Sequence, residues 1–205
     1  MKKLAVLGAS GHGKVVADTA HCCGWDLVEF FDDAWPARSE NGHWSVVGDS
    51  KAMLARLLEY DGVIVAIGDN KVRNDKLVTL MSAAAPVVSL IHPMAFVSRY
   101  ATIGVGSVVF AAAVVNADAK IGLGAILNTG CSVDHDCQLG EAVHVSPGAR
   151  LAGSVSVGDR SWIGIGASVK QLIRIGCEVV VGAGASVVSH VADGVVVIGV
   201  PAKVR

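Results

Sequence analysis

The sequence has few aromatic residues and few charges. Of its 205 residues, only 5% are aromatic and 17% are charged, while 52% are hydrophobic and 24 are glycine. So few rings cannot build a thick core, and small aliphatic side chains suit thin, closely packed layers. The apolar excess excludes an intrinsically disordered chain. A chain of this length can form one or two domains.

Basic blocks are also absent, and the formal net charge is −1. Because binding to a phosphate backbone depends on clustered Lys and Arg, we expect no nucleic-acid partner. One uncharged run, 100–117, is long enough to reach the lower limit for a membrane span. It contains Gly104, Gly106 and Asn116, and its bulky residues recur at an interval that continues into charged sequence. We therefore expect a buried repeat there and no membrane segment.

No two cysteines have the C-x-x-C spacing of a zinc site, and their number, five, is odd. Neither a disulfide framework nor a zinc centre is indicated. We expect all of them to be buried free thiols: Cys22, Cys23, Cys131, Cys137 and Cys177. The basic residues at the start are followed by only a short apolar stretch before Gly-rich polar sequence, which is not typical of a signal peptide. A cytoplasmic location is the default expectation.

A repeat of six residues dominates the second half of the sequence. Every sixth position from Ile91 to Val187 holds Ile, Leu or Val, which makes 17 positions in succession. Glycine often follows directly, as at Gly104 and Gly122. Neither the period of a helix, about 3.6 residues, nor that of an alternating strand explains this interval. A hexapeptide repeat does explain it, and such repeats are typical of β-helices.

Each hexapeptide is expected to form one short strand and a turn, and three hexapeptides to form one triangular coil. The aliphatic residue points inward and stacks on its equivalents in neighbouring coils. The position after it needs a small residue or one that tolerates a positive φ. The stretch from Val97 to about Gly199 has room for between five and six coils without an inserted loop, and the repeat stops at Asp193.

The first ninety residues have a different pattern, in which short apolar runs alternate with helical segments. Strands are expected at 4–7, 27–31, 63–67 and 87–90, and helices at 14–23, 51–58 and 71–84. This alternation predicts a small parallel α/β sheet. Ligands of such sheets bind at the carboxyl ends of the strands, where three polar segments fall: 8–13, 32–33 and 68–70.

The glycine-rich segment Gly8-Ala-Ser-Gly-His-Gly13 precedes a helix and could bind an anionic phosphate through its backbone N–H groups. Its G-x-x-G-x-G spacing differs from the dinucleotide fingerprint, and the domain is too small to span a dinucleotide, so a redox NAD enzyme is disfavoured. Asp32 and Asp33 could bind a ribose or a base edge. A tight turn beside a solvated acidic loop is the alternative.

In the repeat region, the residues that could carry chemistry concentrate around His135. This histidine lies two positions after the inward Val133, so it should project outward from a flat face. Asp134 and Asp136 could orient its imidazole and raise its pKa. An exposed, oriented histidine can serve as a general base, and a surface histidine with acidic neighbours is the alternative. His144 lies half a coil away, so it could approach a His135 only across a subunit boundary.

Two other chemistries receive less support. A metal site of the kind found in β-helical carbonic anhydrases needs three converging histidines. The available histidines give no clear third ligand, so no metal is expected: His92, His135, His144 and His190. Cys131 and Cys137 lie near the candidate base in sequence, so a covalent thioester intermediate is conceivable. We expect direct transfer without an acyl-enzyme.

The chain resembles the left-handed β-helix acyltransferases in its hexapeptide repeat and in three segments: Val133-Asp-His-Asp-Cys137, Ser161-Trp-Ile-Gly164 and Gly199-Val-Pro-Ala-Lys203. With the loop Gly8-Ala-Ser-Gly-His-Gly13 and the segment Phe31-Asp-Asp33, it resembles one branch of that family. This branch is the bacterial nucleotide-sugar N-acetyltransferases that make UDP-N,N′-diacetylbacillosamine, which are related to the sialic-acid O-acetyltransferases.

The resemblance implies a Rossmann-like α/β domain over 1–90, which binds the nucleotide sugar, and a left-handed parallel β-helix over 91–205, which binds acetyl-CoA. It implies a cytoplasmic homotrimer with active sites between subunits. The acetyl group would pass from acetyl-CoA to the 4-amino group of a UDP-linked amino-deoxy sugar, in bacillosamine biosynthesis for protein glycosylation. Two alternatives stay open: O-acetylation of sialic acid or another sugar hydroxyl, and a non-catalytic protein that binds sugar nucleotides.

The resemblance also implies roles for single residues. His135 matches the general base that takes a proton from the sugar amine. Asp136 matches the acidic residue that orients this base, although some relatives have Glu there. Gly153 matches a position whose backbone N–H faces the thioester oxygen. Ile165 and Ala183 match positions that line the groove for the pantetheine arm between adjacent β-helices.

Two further positions of the β-helix are implied in binding the reactants. Asn128 matches a position near the acceptor sugar, and His144 matches one near the acetyl group that a neighbouring subunit contributes. The N-terminal domain supplies the remaining contacts. Gly11, His12 and Gly13 match the loop that binds the diphosphate, and Asp32 and Asp33 match residues that contact uridine.

Overall fold

The computed structural model describes residues 1–205, which divide into two compact units, Met1–His92 and Pro93–Arg205. The first unit combines helices with a sheet, and the second consists of very short strands joined by turns. None of the helices combines the length and the apolar character that a membrane crossing requires.

The first unit is built on a five-stranded sheet. Its strands are β1 (Lys3–Leu7), β2 (Leu27–Phe31), β3 (Glu40–Asn41), β4 (Trp44–Gly48) and β5 (Gly62–Val65), which lie in the order β3-β4-β2-β1-β5. Strand β1 pairs in parallel with β2 and β5, and β2 pairs in parallel with β4. Strands β1 and β5 are almost entirely buried, as is typical of central strands in a parallel sheet.

Three helices connect these strands: α1 (Gly11–Cys22), α2 (Ser50–Ala55) and α3 (Asn70–Ser82). A 3₁₀ turn at Leu57–Glu59 follows α2, and a short strand β6 at Leu90–Ile91 ends the unit. The carboxylates of Asp49 and Asp69 cap α2 and α3, since each accepts a hydrogen bond from the backbone N–H three residues further on. The caps fix where both helices begin.

The predicted elements of this unit are present, with four main differences. The helix expected at 51–58 ends at Ala55, and a separate 3₁₀ turn follows it. Helix α1 begins at Gly11 instead of residue 14, so the second half of the glycine-rich segment is helical. The antiparallel hairpin of β3 and β4 was not predicted, because Glu40–Ser45 lacks a run of β-branched residues and shows only a turn signal at Gly42. The strand expected at 87–90 is reduced to a bridge between Val63 and Val87, and to β6.

The second unit is a left-handed parallel β-helix, as predicted, whose strands stack in three faces. Face 1 contains the strands Phe96–Val97, Val114–Val115, Ser132–Val133, Arg150–Leu151, Ser168–Val169 and Ser186–Val187. Face 2 contains Thr102–Ile103, Lys120–Ile121, Gln138–Leu139, Ser156–Val157 and Arg174–Ile175. Face 3 contains Val108–Val109, Ile126–Leu127, His144–Val145, Trp162–Ile163, Val180–Val181 and Val196–Ile198, with Lys203–Val204 added antiparallel at its end.

Strands of successive coils pair in parallel at an offset of 18 residues, as Val115 does with Val133. From Val109 to Val187, no aliphatic residue of the six-residue series is more than 4% exposed. Ile91, the first of the series, is 41% exposed and belongs to the first unit. A second inward column, two residues before each aliphatic residue, is filled mostly by Ala, Cys and Val, and Cys131 belongs to it.

The turns repeat with the same six-residue period. Every sixth residue from Gly106 to Gly184 has a positive φ, which makes 14 positions, and eight of them are not glycine. The glycines that directly follow the aliphatic residues have no positive φ, but a Cβ at Gly104 would lie 2.5 Å from the backbone of Gly122. That position therefore requires a small residue because coils approach closely, and the left-handed residue comes two positions later than predicted.

The repeat does not stop at Asp193, as the sequence predicted. In the last coil the offset between paired residues falls from 18 to 16, so Ile175 bridges to Val191 and Val181 pairs with Val197. Val197 is 3% exposed. The final coil is two residues shorter than the others, and this shift hides its inward residues from a search at a fixed period.

Candidate active site

His135 lies in the turn between face 1 and face 2, so the prediction that it projects from a flat face is wrong. The turn follows the strand Ser132–Val133, and Asp136 occupies its left-handed position with a φ of 59°. The side chain of His135 is 60% exposed. A histidine at a corner of the coil is open to ligands on more sides than one within a strand.

The imidazole of His135 is hydrogen-bonded to Asp136, since Nδ1 lies 2.7 Å from Oδ2. A carboxylate only accepts, so Nδ1 carries the proton and Nε2 keeps its lone pair in the neutral ring. This hydrogen bond raises the pKa of His135, and the nearby charges of Asp134 and Asp136 add to the effect. The arrangement is the one that a general base requires.

Asp136 holds the ring of His135, whereas Asp134 holds the backbone of this turn. Oδ1 of Asp134 accepts from the backbone N–H of His135 and from Nδ2 of Asn116, both at 2.8 Å. Both hydrogen bonds lower the pKa of Asp134, and the one from Asn116 has the larger effect. Asn116 was missed in the sequence, although its separation of 18 residues from Asp134 places the two side by side in successive coils.

Gly153 lies one coil beyond His135, at the equivalent position. A Cβ at Gly153 would lie 2.5 Å from Nε2 of His135, so the imidazole rests against the space that the missing side chain leaves. The structure thus brings His135, Asp136 and Gly153 together at one corner of the β-helix.

A second group of predicted residues lies elsewhere in the same unit. His144, Ile165 and Ala183 line a groove of about 380 Å³ along face 3 and the turns that follow it. Most of the groove wall is apolar, and Trp162 and Pro147 contribute to it. Its apolar lining suits a largely apolar ligand.

Asn128 and His144 are joined directly, since Asn128 Nδ2 lies 3.2 Å from His144 Nε2. The ring of His144 stacks on Trp162 with a centroid distance of 5.3 Å and an interplanar angle of 11°. Trp162 Nε1–H in turn donates to Ser146 Oγ at 2.6 Å. Trp162 and Ser146 were not predicted as site residues, although the 18-residue offset aligns position 162 with position 144.

The cysteines form no disulfide, and only two of them are fully buried. Burial raises the pKa of Cys131 to about 12 and also raises that of Cys137. Cys22 is exposed and Cys23 and Cys177 are partly exposed, so the expectation of five buried thiols is wrong for these three. A buried, protonated thiol is a poor nucleophile, which disfavours the covalent route at Cys131 and Cys137.

No three His, Cys, Asp or Glu side chains are grouped in a way that could hold a metal ion. His135 and His144 have the separate partners described above. His190 Nδ1 accepts from the backbone N–H of Arg174 at 3.0 Å, which fixes its ring against the last coil.

In the first unit, the glycine-rich segment forms a short loop and the first turn of α1. Gly8 has a φ of 111°, which only glycine adopts readily. A Cβ at Gly13 would lie 2.4 Å from the carbonyl oxygen of Gly8, whereas Gly11 has open space around its Cα. Gly8 is therefore required by its backbone conformation, and Gly13 is required by close packing. The space at Gly11 leaves the helix N-terminus approachable.

His12 is largely buried, and burial lowers its pKa to about 4, with a further contribution from the charge of Arg73. The ring is therefore neutral at physiological pH. Arg73 is 1% exposed and donates to the carbonyl oxygens of Ile67 and Gly68, at 3.0 and 3.1 Å. This buried cation holds the loop after β5. It could not be recognised from the sequence, because an Arg on a helix has the same spacing whether it is buried or exposed.

Asp32 and Asp33 have different partners. Asp32 accepts from the backbone N–H groups of Ala9 and Ala34, at 2.7 and 2.9 Å, so it braces the glycine-rich loop. Asp33 accepts from Lys76 Nζ at 2.9 Å and from the hydroxyl and N–H of Ser50. These hydrogen bonds lower the pKa of Asp33 to about 2. The one from the Ser50 hydroxyl has the largest effect, and the one from Lys76 comes next.

A cavity of about 360 Å³ is lined by Ser50 and Lys76, the two partners of Asp33. Helices α2 and α3 form most of its wall, and its floor is the end of β1 at Leu7. Ser50 and Lys76 line it together with the apolar Leu54 and Val72. None of the predicted polar segments, 8–13, 32–33 and 68–70, lines this cavity.

Comparison with known proteins supports a single family. Residues 3–80 match the family described as the PglD N-terminal domain. A curated relative, UDP-N-acetylbacillosamine N-acetyltransferase of Bacillus subtilis (strain 168), is 38% identical over 112 residues. That match covers 53% of this chain and 51% of the relative, so it spans about half the length of each.

Two solved structures match over nearly their whole length. The acetyltransferase domain of PglB from Neisseria gonorrhoeae FA1090, in complex with acetyl coenzyme A, is 41% identical with a TM-score of 0.95, covering 100% of this chain and 99% of that one. A mutant of perosamine N-acetyltransferase from Caulobacter crescentus, in complex with CoA and GDP-perosamine, is 40% identical with a TM-score of 0.95. The match covers 100% of this chain and 97% of that one. The chain therefore belongs to the family of left-handed β-helix sugar N-acetyltransferases that includes these two proteins.

Proposed function

We propose that this chain is an acetyl-CoA-dependent N-acetyltransferase that acetylates the 4-amino group of a UDP-linked amino-deoxy sugar. The observation that carries the proposal is the corner formed by His135, Asp136 and Gly153. There the imidazole is oriented by a carboxylate through Nδ1, and its Nε2 lone pair is available. The relatives supply the reaction class, since the PglB domain binds acetyl coenzyme A and the perosamine enzyme binds CoA and GDP-perosamine.

His135 acts as the general base. The sugar amine attacks the thioester carbonyl carbon of acetyl-CoA while His135 Nε2 takes the proton that the nitrogen loses. The C–S bond then breaks, the amide forms, and the imidazolium returns the proton to the CoA sulfur. Asp136 stabilises the imidazolium through the hydrogen bond at Nδ1. The N–H of Gly153 faces the thioester oxygen and stabilises its developing charge.

The groove along face 3 binds the coenzyme. Its apolar lining at Ile165 and Ala183 suits the pantetheine arm, and His144 on the same wall lies near the acetyl group. Cys131 and Cys137 take no part, because both thiols are buried and their pKa values are raised. Transfer is therefore direct, within a ternary complex.

The first unit binds the nucleotide. The N-terminus of α1, at Gly11, His12 and Gly13, carries N–H groups and a positive helix end that suit a diphosphate. Asp32 and Asp33 contact uridine, and Asp33 is the more accessible, with 59% of its side chain exposed against 17%. Asn128 contacts the acceptor sugar at the second unit.

Active sites are completed between subunits of a homotrimer. Within one chain, His135 lies at the corner between faces 1 and 2, whereas the groove of Ile165 and Ala183 runs along face 3 and its following turns. A coenzyme in the groove of one subunit can meet a His135 that a neighbouring subunit supplies. The protein is cytoplasmic and serves bacillosamine formation for protein glycosylation.

A thiol-release assay tests the proposal. The full chain is incubated with acetyl-CoA and either a UDP-4-amino sugar, a GDP-4-amino sugar or free sialic acid, and the release of CoA is measured. We expect the UDP-linked amine to be preferred, and His135→Ala to lower kcat by roughly 10²- to 10⁴-fold. If only sialic acid supported turnover, O-acetylation would replace the proposal. If none of the acceptors supported turnover, the chain would be a binding protein without this activity. Near-normal turnover of His135→Ala would exclude the assigned base.

A further inference from the structure

The side chains on face 3 form a chain of contacts that runs across three coils. Trp162 lies at the outward position next to His144, and the two rings stack nearly parallel. The indole N–H donates to Ser146 Oγ, and Ser146 is only 4% exposed. A buried hydroxyl therefore fixes the indole, and the indole fixes the plane of the imidazole.

The orientation of Asn128 is determined independently of the histidine. Its Oδ1 accepts from the backbone N–H of Thr129 at 2.8 Å, and a backbone N–H can only donate. The amide nitrogen Nδ2 must then face His144, 3.2 Å from Nε2. Because Nδ2 is a donor, Nε2 must accept, which places the single proton of the neutral ring on Nδ1.

From these contacts we propose that Trp162, anchored by Ser146, is a positioning residue for His144. It fixes the plane of the ring, so that Nε2 of the neutral Nδ1–H tautomer accepts from Asn128 and, together with the N–H of Thr129, holds the carboxamide in place. The inference rests on the proposed function for its consequence, because Asn128 is assigned to the acceptor sugar. It gives His144 a role as a fixed hydrogen-bond acceptor, with no part in proton transfer. Proton transfer stays with His135.

The tautomer can be measured directly in the full-length protein. Long-range ¹H–¹⁵N correlation spectra of ¹⁵N-histidine-labelled protein distinguish a protonated ring nitrogen from one with a free lone pair. We expect Nδ1 of His144 to be protonated and Nε2 not, without bound ligands. Asn128→Asp should reverse this pattern, because a carboxylate can only accept and Nε2 would then carry a proton. A protonated Nε2 in the unmodified protein, or an unchanged pattern in Asn128→Asp, would overturn the inference.

Kinetics then test the part played by Trp162. Trp162→Leu removes the stack and the indole N–H, so we expect the two tautomers of His144 to give averaged signals. At saturating substrates, kcat should fall roughly tenfold to a hundredfold, because a small misplacement of a group in the active site has an effect of this size. Trp162→Phe keeps the stack, so most of kcat should be restored. Single-tautomer signals in Trp162→Leu, or equal kcat losses in both variants, would contradict the role.

The first unit offers a matched control. Trp44 Nε1–H donates to His21 Nε2 at 3.0 Å, and these rings are also stacked, at 16°. Trp44→Phe should change the His21 signals and leave kcat unaltered, and a kcat loss as large as that of Trp162→Leu would overturn the inference. The expected His144 tautomer in a protein that transfers no acetyl group would support this inference and reject the proposed function. Acetyl transfer with the wrong tautomer would do the reverse.

Discussion

The imidazole of His135 rests against the Cα of Gly153 in the next coil, where a Cβ would lie 2.5 Å from Nε2. This contact makes the glycine a requirement of the base and not of the backbone, because Gly153 has no positive φ. An added methyl group must displace the ring. The ring can move without unfolding the coil, since it is 60% exposed.

We predict that Gly153→Ala lowers kcat by roughly tenfold or more while leaving the melting temperature nearly unchanged, because misplacing a reacting group is costly even when the fold is intact. Steady-state kinetics and thermal denaturation measure the two effects. The matched control is Gln171→Ala, which changes the equivalent position one coil further on and should keep full activity. Equal kcat values for the two variants would contradict the contact.

The hydrogen bond from His135 to Asp136 predicts a specific pH dependence. Catalysis needs the neutral imidazole, so kcat falls as the pH drops below the raised pKa of His135. Asp136→Asn removes the charge and lowers that pKa, so the acidic limb of the kcat profile should move to lower pH. The plateau should fall less than in His135→Ala. An acidic limb that stays in place or moves to higher pH would show that Asp136 does not control the base.

The two buried thiols are predicted to be dispensable for catalysis. Cys137 Sγ donates to the carbonyl oxygen of Ala152 at 3.2 Å, a hydrogen bond that a serine hydroxyl can also make. Cys137→Ser should therefore keep kcat and most of its stability. Cys131→Ser should keep kcat but lose about 1–3 kcal/mol of unfolding free energy, the usual cost of a buried hydroxyl without a good partner. Loss of kcat in a folded variant would revive the covalent route.

The β-helix could be predicted because its inward residues are Ile, Leu or Val and recur at a fixed period of six residues. The same reasoning missed the last coil, where Val191 and Val197 lie two residues early, since a register shift leaves no mark except in the pairing. It also placed His135 on a flat face because the period locates inward residues and says little about turns. The positive φ of Asp136 decides that position.

Contacts between distant parts of the chain were harder to predict. The 18-residue offset brings Asn116 to Asp134 and Trp162 to His144, and this offset follows from three hexapeptides per coil once it is applied to polar residues. No comparable rule exists for the first unit. The burial of Arg73 under the loop after β5 depends on the tertiary packing of α3, which sequence spacing alone does not reveal.

A larger side chain at Ala183, in the groove, is predicted to change the affinity for the coenzyme and not that for the sugar. A larger side chain there would occupy the apolar groove that we assign to the pantetheine arm. Ala183→Leu should raise KM for acetyl-CoA roughly tenfold while leaving KM for the nucleotide sugar unchanged, since one or two misplaced methylenes alter binding by about 1–3 kcal/mol. The matched change Val188→Leu, at an exposed position outside the groove, should leave both constants unaltered. A higher KM for the sugar instead would move the coenzyme to another surface.

Asp33 predicts how the stability of the first unit depends on pH. Its pKa is lowered from 3.8 to about 2, so the folded state favours the ionised carboxylate, and the resulting stabilisation is fully present above about pH 4. It is lost as the pH falls towards 2, when the carboxyl group is protonated. Asp33→Asn should therefore lower the melting temperature at pH 7 and have little effect near pH 2. The shift should be small because the side chain is 59% exposed, and a difference that grows with acidity would show that Lys76 and Ser50 do not stabilise the ionised form.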